Sequence, residues 1–313
     1  MRVLTIGLLA VASAAAQTAD LQGVYVNNDA TPLERPEALA GRALLTDAEV
    51  AELKKRADRL FRQEDSDYAS GDNVFLAVLA NVERYHAPAT GGIDNMIERE
   101  FDNRTSLVVD PPDGKLPPFT PEGQRRQASA YAASRGLAPV AGPEDINNVN
   151  RCITYGVPRL GGNFGAGPYS YFRILQTSEY VVFFAEMPHE ARIIPLDGRP
   201  HLPKGIPQWT GDSRGHWEGK TLVVDTTNFS PKSNFMGSRE NLHLVERFTR
   251  IAPDALKYDI TVDDPTTWTK PWTASVRLHQ TGEAIYEFAC HEGNYDVMHG
   301  MLGAAQAEEK GSK

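Results

Sequence analysis

Residues 242–264 read LHLVERFTRIAPDALKYDITVDD. Two runs of alternating polar and apolar side chains flank Ala252-Pro253-Asp254-Ala255, the pattern of a β-hairpin. Successive side chains of a strand point to opposite faces. If Ala252 and Ala255 close a regular turn, Ile251 lies opposite Leu256 and Arg247 opposite Ile260. One face then carries His243, Val245, Arg247, Thr249 and Ile251 with Leu256, Tyr258, Ile260 and Val262. The other carries Glu246, Phe248 and Arg250 with Lys257, Asp259, Thr261 and Asp263. The first face is the more apolar and is expected inside, taking His243, Arg247 and Tyr258 with it. A one-residue slip would reverse one strand.

The hairpin has many neighbours of its kind. SYFRILQ (170–176), EYVVFFAEM (179–187), EARIIPLD (190–197), DSRG (212–215), KTLVVDTTNF (220–229), TASVRLHQ (273–280) and EAIYEFAC (283–290) are further strand-like runs. Strands at short intervals joined mainly by turns predict a mainly β chain, with an antiparallel β-barrel over 169–305. A β-sandwich is the alternative. No long helix separates the runs, so a parallel α/β sheet is not expected. A turn at Thr281-Gly282 would put Trp272, Ala274, Val276, Leu278, Ile285, Glu287, Ala289 and His291 on the inner face, with Cys290 outside.

Residues 17–168 predict a loop-rich wrapping region, the whole forming one compact domain. LQGVYVNN (21–28) and RTSLVVDPPDG (104–114) read as strands. Thr46 and Glu49 form a capping box for a helix over 46–61. Thr120 followed by Pro121 opens a second helix over 120–134. GGNFGAGP (161–168) lacks the strand-to-helix frame of a phosphate loop and reads as a surface loop.

MRVLTIGLLAVASAAA (1–16) reads as a signal peptide, so export to the periplasm or the exterior is expected. No other run is long and apolar enough to enter a membrane. The net charge of −9 argues against nucleic acid as a partner. Two cysteines in an exported chain predict a disulfide between Cys152 and Cys290.

The face assignment brings His291, Glu287, His243, Arg247 and Tyr258 together as a catalytic set, with Arg247 and Glu287 as an interior ion pair. A histidine base, an orienting glutamate and two groups to stabilise negative charge fit a lyase, isomerase or hydrolase. Trp272, Trp217, His189, Arg192, Arg199, His201 and Tyr295 are candidate ligand-binding residues, and Arg199 has Asp197 as a local partner. A pair of carboxylates, Glu287 with Glu246 or Glu292, is a secondary route. GDSRG (211–215) is not a nucleophile elbow, because no helix follows Ser213. No nucleotide cofactor is expected. A divalent metal is possible, although no histidine pair has the usual ligand spacing. The alternatives to an enzyme are a carrier or sensor of a small ligand, and a structural domain with a filled barrel.

RTSLVVDPPDG, ARIIPLDGRPH, GDSRGHWEGKTLVVDTTNF, ENLHLVERFTR, TVDDPTTWTKPWT and YEFACHEGNY resemble stretches of a large family of exported bacterial proteins. The C-terminal half is similar to a lipocalin-type (calycin-like) barrel. The resemblance implies export and a barrel of the kind that holds one small organic ligand, some relatives being enzymes. It implies no reaction and no catalytic residue.

Overall fold

A computed structural model describes residues 19–61, 72–85, 99–134, 140, 142–158 and 171–311. The expected signal peptide and GGNFGAGP lie outside the described residues. Ten strands form one mainly antiparallel sheet: β1 (Gly23–Val26), β2 (Val108–Asp110), β3 (Tyr171–Gln176), β4 (Tyr180–Ala185), β5 (Glu190–Pro195), β6 (Asp212–Glu218), β7 (Thr221–Thr227), β8 (His243–Ala252), β9 (Ala255–Asp263) and β10 (Trp272–Thr281). The helices are α1 (Asp47–Phe61), α2 (Asp72–Leu79), α3 (Pro121–Ser134) and α4 (Cys290–Gly311). Both expected caps form. The Thr46 and Glu49 side chains each accept the other's amide hydrogen, at 3.3 and 2.8 Å. Thr120 accepts the Gly123 amide at 3.0 Å.

The strand order is β5-β4-β3-β1-β10-β9-β8-β7-β6, with β2 also paired to β10. The N-terminal strand β1 therefore joins two meanders, pairing with β3 on one side and β10 on the other. The expected barrel is not closed by backbone pairing. β5 and β6, the two ends of the order, run beside each other without a ladder. Gly215 permits this approach: a Cβ there would sit 2.7 Å from Leu196 and 2.9 Å from Ile194.

Two of the expected strand assignments need correction. EAIYEFAC is not a strand. One edge of β10 is taken by β9 and the other by β1 and β2, so no ladder remains for residues 283–290. The chain runs on into α4 instead. The hairpin of β8 and β9 does close between Ala252 and Ala255, but a bulge between Arg250 and Ala252 sets Arg250 opposite Leu256, Phe248 opposite Tyr258 and Glu246 opposite Ile260. The extra residue, Ile251, is 47% exposed. β8 is therefore inverted relative to the regular register. Leu244, Glu246 and Phe248 are buried, and His243 and Arg247 face outward.

The cause lies in what each face can satisfy. Burying Leu244 and Phe248 gains about 1.5–3 kcal/mol apiece. The opposite face would have buried His243 and Arg247. Glu246 is tolerated inside because Arg192 of β5 reaches it across the open seam. The Arg192 guanidinium donates to both Glu246 oxygens, one at 3.1 Å, to Ser213 Oγ of β6 at 2.9 Å and to Thr226 Oγ1 of β7 at 2.6 Å. The Tyr258 hydroxyl also donates to Glu246. Side chains thus tie β5 to β6, β7 and β8 where the backbone does not.

The main core fills the concave side of the sheet. Phe183, Phe248 and Tyr258 stack in series, with ring centroids 4.7 and 4.3 Å apart. A second cluster packs α1 and α2 on Leu39, Leu45 and Phe101. α2 gave no expectation from the sequence.

Removing one partner of a buried ion pair strands the other. Glu246→Ala is expected to cost about 3–5 kcal/mol in urea denaturation. Arg247→Ala, which breaks an exposed pair with Glu218, is expected to cost less than about 1 kcal/mol. The opposite ranking would restore the regular hairpin register.

Candidate functional site

The interior holds little free space. Beside Arg192, Glu246 and Tyr258 lies a cavity of about 40 Å³, also lined by Phe172, Phe183, Glu190 and Phe248. That is room for a water or two, while organic-ligand pockets span roughly 300–1,000 Å³. Burial pushes the Tyr258 hydroxyl well above its ordinary pKa, and Glu246 adds to the shift. Burial works against the Arg192 charge, but Glu246 more than offsets it, and the guanidinium pKa is raised. Such a network is a brace, with its main groups already bonded to one another.

The larger space lies at the mouth of the sheet. A cleft of about 750 Å³ opens between residues 144–157 on one side and residues 229–242, with Trp209, on the other. Gly156 and Val157 line both the cleft and the small inner cavity.

The 144–157 wall is tightly organised. Asn147 Oδ1 accepts the Asn150 amide at 2.8 Å. Thr154 Oγ1 accepts the Gly156 amide at 2.8 Å and donates to Glu190 at 3.0 Å. Cys152 and Cys290 form the expected disulfide, with Cα atoms 5.8 Å apart, so the wall is pinned to the start of α4. Glu144 reaches Lys232 of the facing wall at 2.9 Å, and Asn148 Nδ2 donates to the Lys232 carbonyl at 2.9 Å. Ser233 Oγ donates to the Trp209 carbonyl at 2.6 Å and holds that residue in place.

Between these walls the lining mixes aromatic faces with carboxamides. Trp209, Phe229 and Phe235 supply the former; Asn147, Asn148, Asn150 and Asn234 supply the latter. Among the described lining residues there is no histidine or cysteine. The two lining carboxylates are engaged locally. Glu144 pairs with Arg151 and Lys232, and Asp145 accepts the Gly142 amide.

The expected catalytic set is dispersed. Glu287 and His291 are exposed outside the sheet, on the stretch that is not a strand. Arg247 pairs with Glu218 at 2.5 Å instead of Glu287. His243 lies on the outer face, and only Tyr258 is inside. Of the expected ligand-binding residues, Trp272 is fully buried between Phe235 and Trp268. Trp217 packs on the core edge. His189 sits in the β4–β5 turn with its ring edge on Phe184. Arg199 pairs with Asp197, and Tyr295 packs on His299 along α4. Arg192 is interior but committed to Glu246. The expected secondary carboxylate pair does not assemble, since Glu246 is buried and Glu287 and Glu292 are exposed.

Two expected residues do meet. His201 and His243 both contact Asp225, at 2.9 and 2.8 Å, and His201 also contacts Asp212 at 2.9 Å. This chain of alternating histidines and aspartates lies on the outer face and fastens the 197–211 loop to β6, β7 and β8. Among the described residues, no group of three or more His, Cys, Asp or Glu is arranged to hold a metal ion. No helix among them is long and apolar enough to cross a membrane.

The cleft residues were not singled out by alternation or motif. The only sequence signal was the asparagine-rich run before Cys152, which reads as an ordinary loop. No known protein family, curated protein or solved structure matches the chain. The site is therefore read from its own geometry.

The outer-face pair has a pH signature. The hydrogen bond that His243 donates to Asp225 raises the His243 pKa above 6.5, against partial burial. The same bond lowers the Asp225 pKa below 3.8, again against burial. The His243 contribution to stability is complete below pH 6.5 and disappears as pH rises through its raised folded value. The Asp225 contribution is present above its unfolded value and disappears as pH falls through its lowered one. The stability gap between wild type and His243→Gln, followed by urea denaturation, should be widest in mildly acidic solution and shrink toward alkaline pH. A gap independent of pH from 5 to 9 would refute the pairing.

The disulfide closes a long loop. Joint Cys152→Ser and Cys290→Ser substitution is expected to cost up to about 5 kcal/mol by the loop-entropy account. Unchanged denaturation midpoints would show that the pin carries no load.

Proposed function

We propose that the protein is an exported binding protein for one small polar organic molecule, held in the cleft at the mouth of the sheet. The carrying observation is the cleft itself. Its volume of about 750 Å³ falls in the range of small-molecule sites. Its lining combines aromatic faces, which take the apolar body of a ligand, with carboxamides, which fix the orientation of its polar groups.

Binding is better supported than catalysis. General acid–base chemistry needs a titratable group within hydrogen-bond reach of the reacting atoms. Among the described cleft residues, the two carboxylates are held by local partners, and none is a histidine. The buried Glu246 is not free to act as a base, because Arg192 and Tyr258 already occupy its oxygens. The sheet acts as a filled scaffold that presents the cleft. A carrier or sensor that takes its ligand at the mouth fits this division between a filled interior and an open cleft.

A thermal-shift screen of small sugars, polyols and organic acids, followed by calorimetry, tests the reading. At least one compound should bind and remain chemically unchanged by NMR over hours. Trp209→Ala should weaken it by about tenfold or more, as expected for an aromatic hot spot. Turnover of a bound compound would make the protein an enzyme. Binding insensitive to Trp209→Ala would move the site elsewhere.

A further inference from the structure

We infer that the cleft selects an acidic ligand, a hydroxylated carboxylate of the sugar-acid class, with Arg239 as its anchor. This rests on the cleft being a ligand site, as proposed above. The argument begins with charge. Three cationic residues line the cleft, Arg151, Lys232 and Arg239, against two anionic ones, Glu144 and Asp145. Glu144 takes both Arg151, at 3.1 Å, and Lys232, at 2.9 Å. Asp145 closes its own turn by accepting the Gly142 amide at 2.9 Å. Arg239 is left over. It is half-buried, and among the described residues its guanidinium makes no hydrogen bond or ion pair.

The guanidinium faces the cleft with no anionic partner among the described residues. Its planar fork matches a carboxylate through two parallel hydrogen bonds. The chain as a whole is acidic, with a net charge of −9, so this local excess of positive charge stands against the general field. A non-specific anion site is not what such a protein would offer. The cleft instead supplies one cation where a ligand's carboxylate would dock.

The remaining lining describes the body attached to that carboxylate. The Asn150 side chain makes no hydrogen bond among the described residues, and the side-chain oxygen of Asn148, Oδ1, likewise accepts none. Carboxamides offer both donors and acceptors, which suits hydroxyl groups. Trp209 presents a flat face of the kind that packs against the C–H surface of a sugar ring. An acid without hydroxyls would leave these amides facing apolar surface, and a neutral sugar would leave Arg239 alone.

Matched pairs decide the matter. Calorimetry compares D-galacturonate with D-galactose and D-glucuronate with D-glucose, using benzoate as the acid without hydroxyls. At least one sugar acid should bind tenfold or more tightly than its neutral partner and than benzoate. Arg239→Gln should abolish the acid preference and leave the neutral sugar's affinity within twofold. Arg239→Lys should restore part of the preference, and raised salt should reduce it. The Arg239 guanidinium makes no hydrogen bond or ion pair among the described residues, so the melting temperature of each variant should be unchanged and verifies folding. Equal affinity for acid and neutral sugar, or an acid preference untouched by Arg239→Gln, overturns this inference and leaves the binding proposal standing. A wild-type cleft that binds none of the five probes overturns the sugar-acid assignment. If the wider screen is also silent, the binding proposal fails with it.

Discussion

The fold depends on one buried ion pair. Arg192 leaves β5, crosses the seam that the backbone leaves open, and meets Glu246 on β8. A sheet of ten strands with two unpaired edges exposes rows of amide and carbonyl groups. Here those edges are brought side by side and fastened by side chains. Burying two charges is expensive unless each is fully bonded. Ser213, Thr226 and Tyr258 meet that requirement, so the pair fixes where β5 lies against β6, β7 and β8. Among the described residues, the space beside the brace is only about 40 Å³, while the cleft at the mouth holds about 750 Å³.

Much of the sheet was legible in the sequence. The strands from Tyr171 to Thr281 follow from alternation and turn chemistry, and both helix caps are where their residue pairs place them. The disulfide follows from a count of two cysteines in a chain whose sequence leads one to expect export. Closure was not legible, because backbone pairing at a seam depends on curvature accumulated over the whole sheet. The inner face of β8 was not legible either. One bulged residue, Ile251, inverts the eight strand positions from Arg250 back to His243, and nothing in the local pattern marks it. The stabilising reason sits fifty-four residues away, on Arg192. Ser213 and Tyr258 had been noticed individually, but Glu246 was expected outside and the network was invisible without it.

The candidate site was hardest to read. Its walls come from irregular segments whose conformation is set by turns, a disulfide and contacts with the facing wall. Neither strand nor helix period applies to such segments. The placement has a physical logic. The sheet supplies a rigid floor through Phe229 and Leu242, next to the ends of β7 and β8. The disulfide at Cys152 holds one wall of the cleft. Rigid walls reduce the entropy lost when a ligand binds.

The most direct test of this account is a double-mutant cycle between Arg192→Met and Glu246→Met, followed by urea denaturation. Side chains that share a buried bond are expected to couple by about 2–3 kcal/mol, each single variant being far less stable than the double variant would imply by addition. Additivity to within about 0.5 kcal/mol would mean that the two residues do not meet across the seam. The braced sheet, its inverted β8 and the filled interior behind the cleft would then all have to be abandoned.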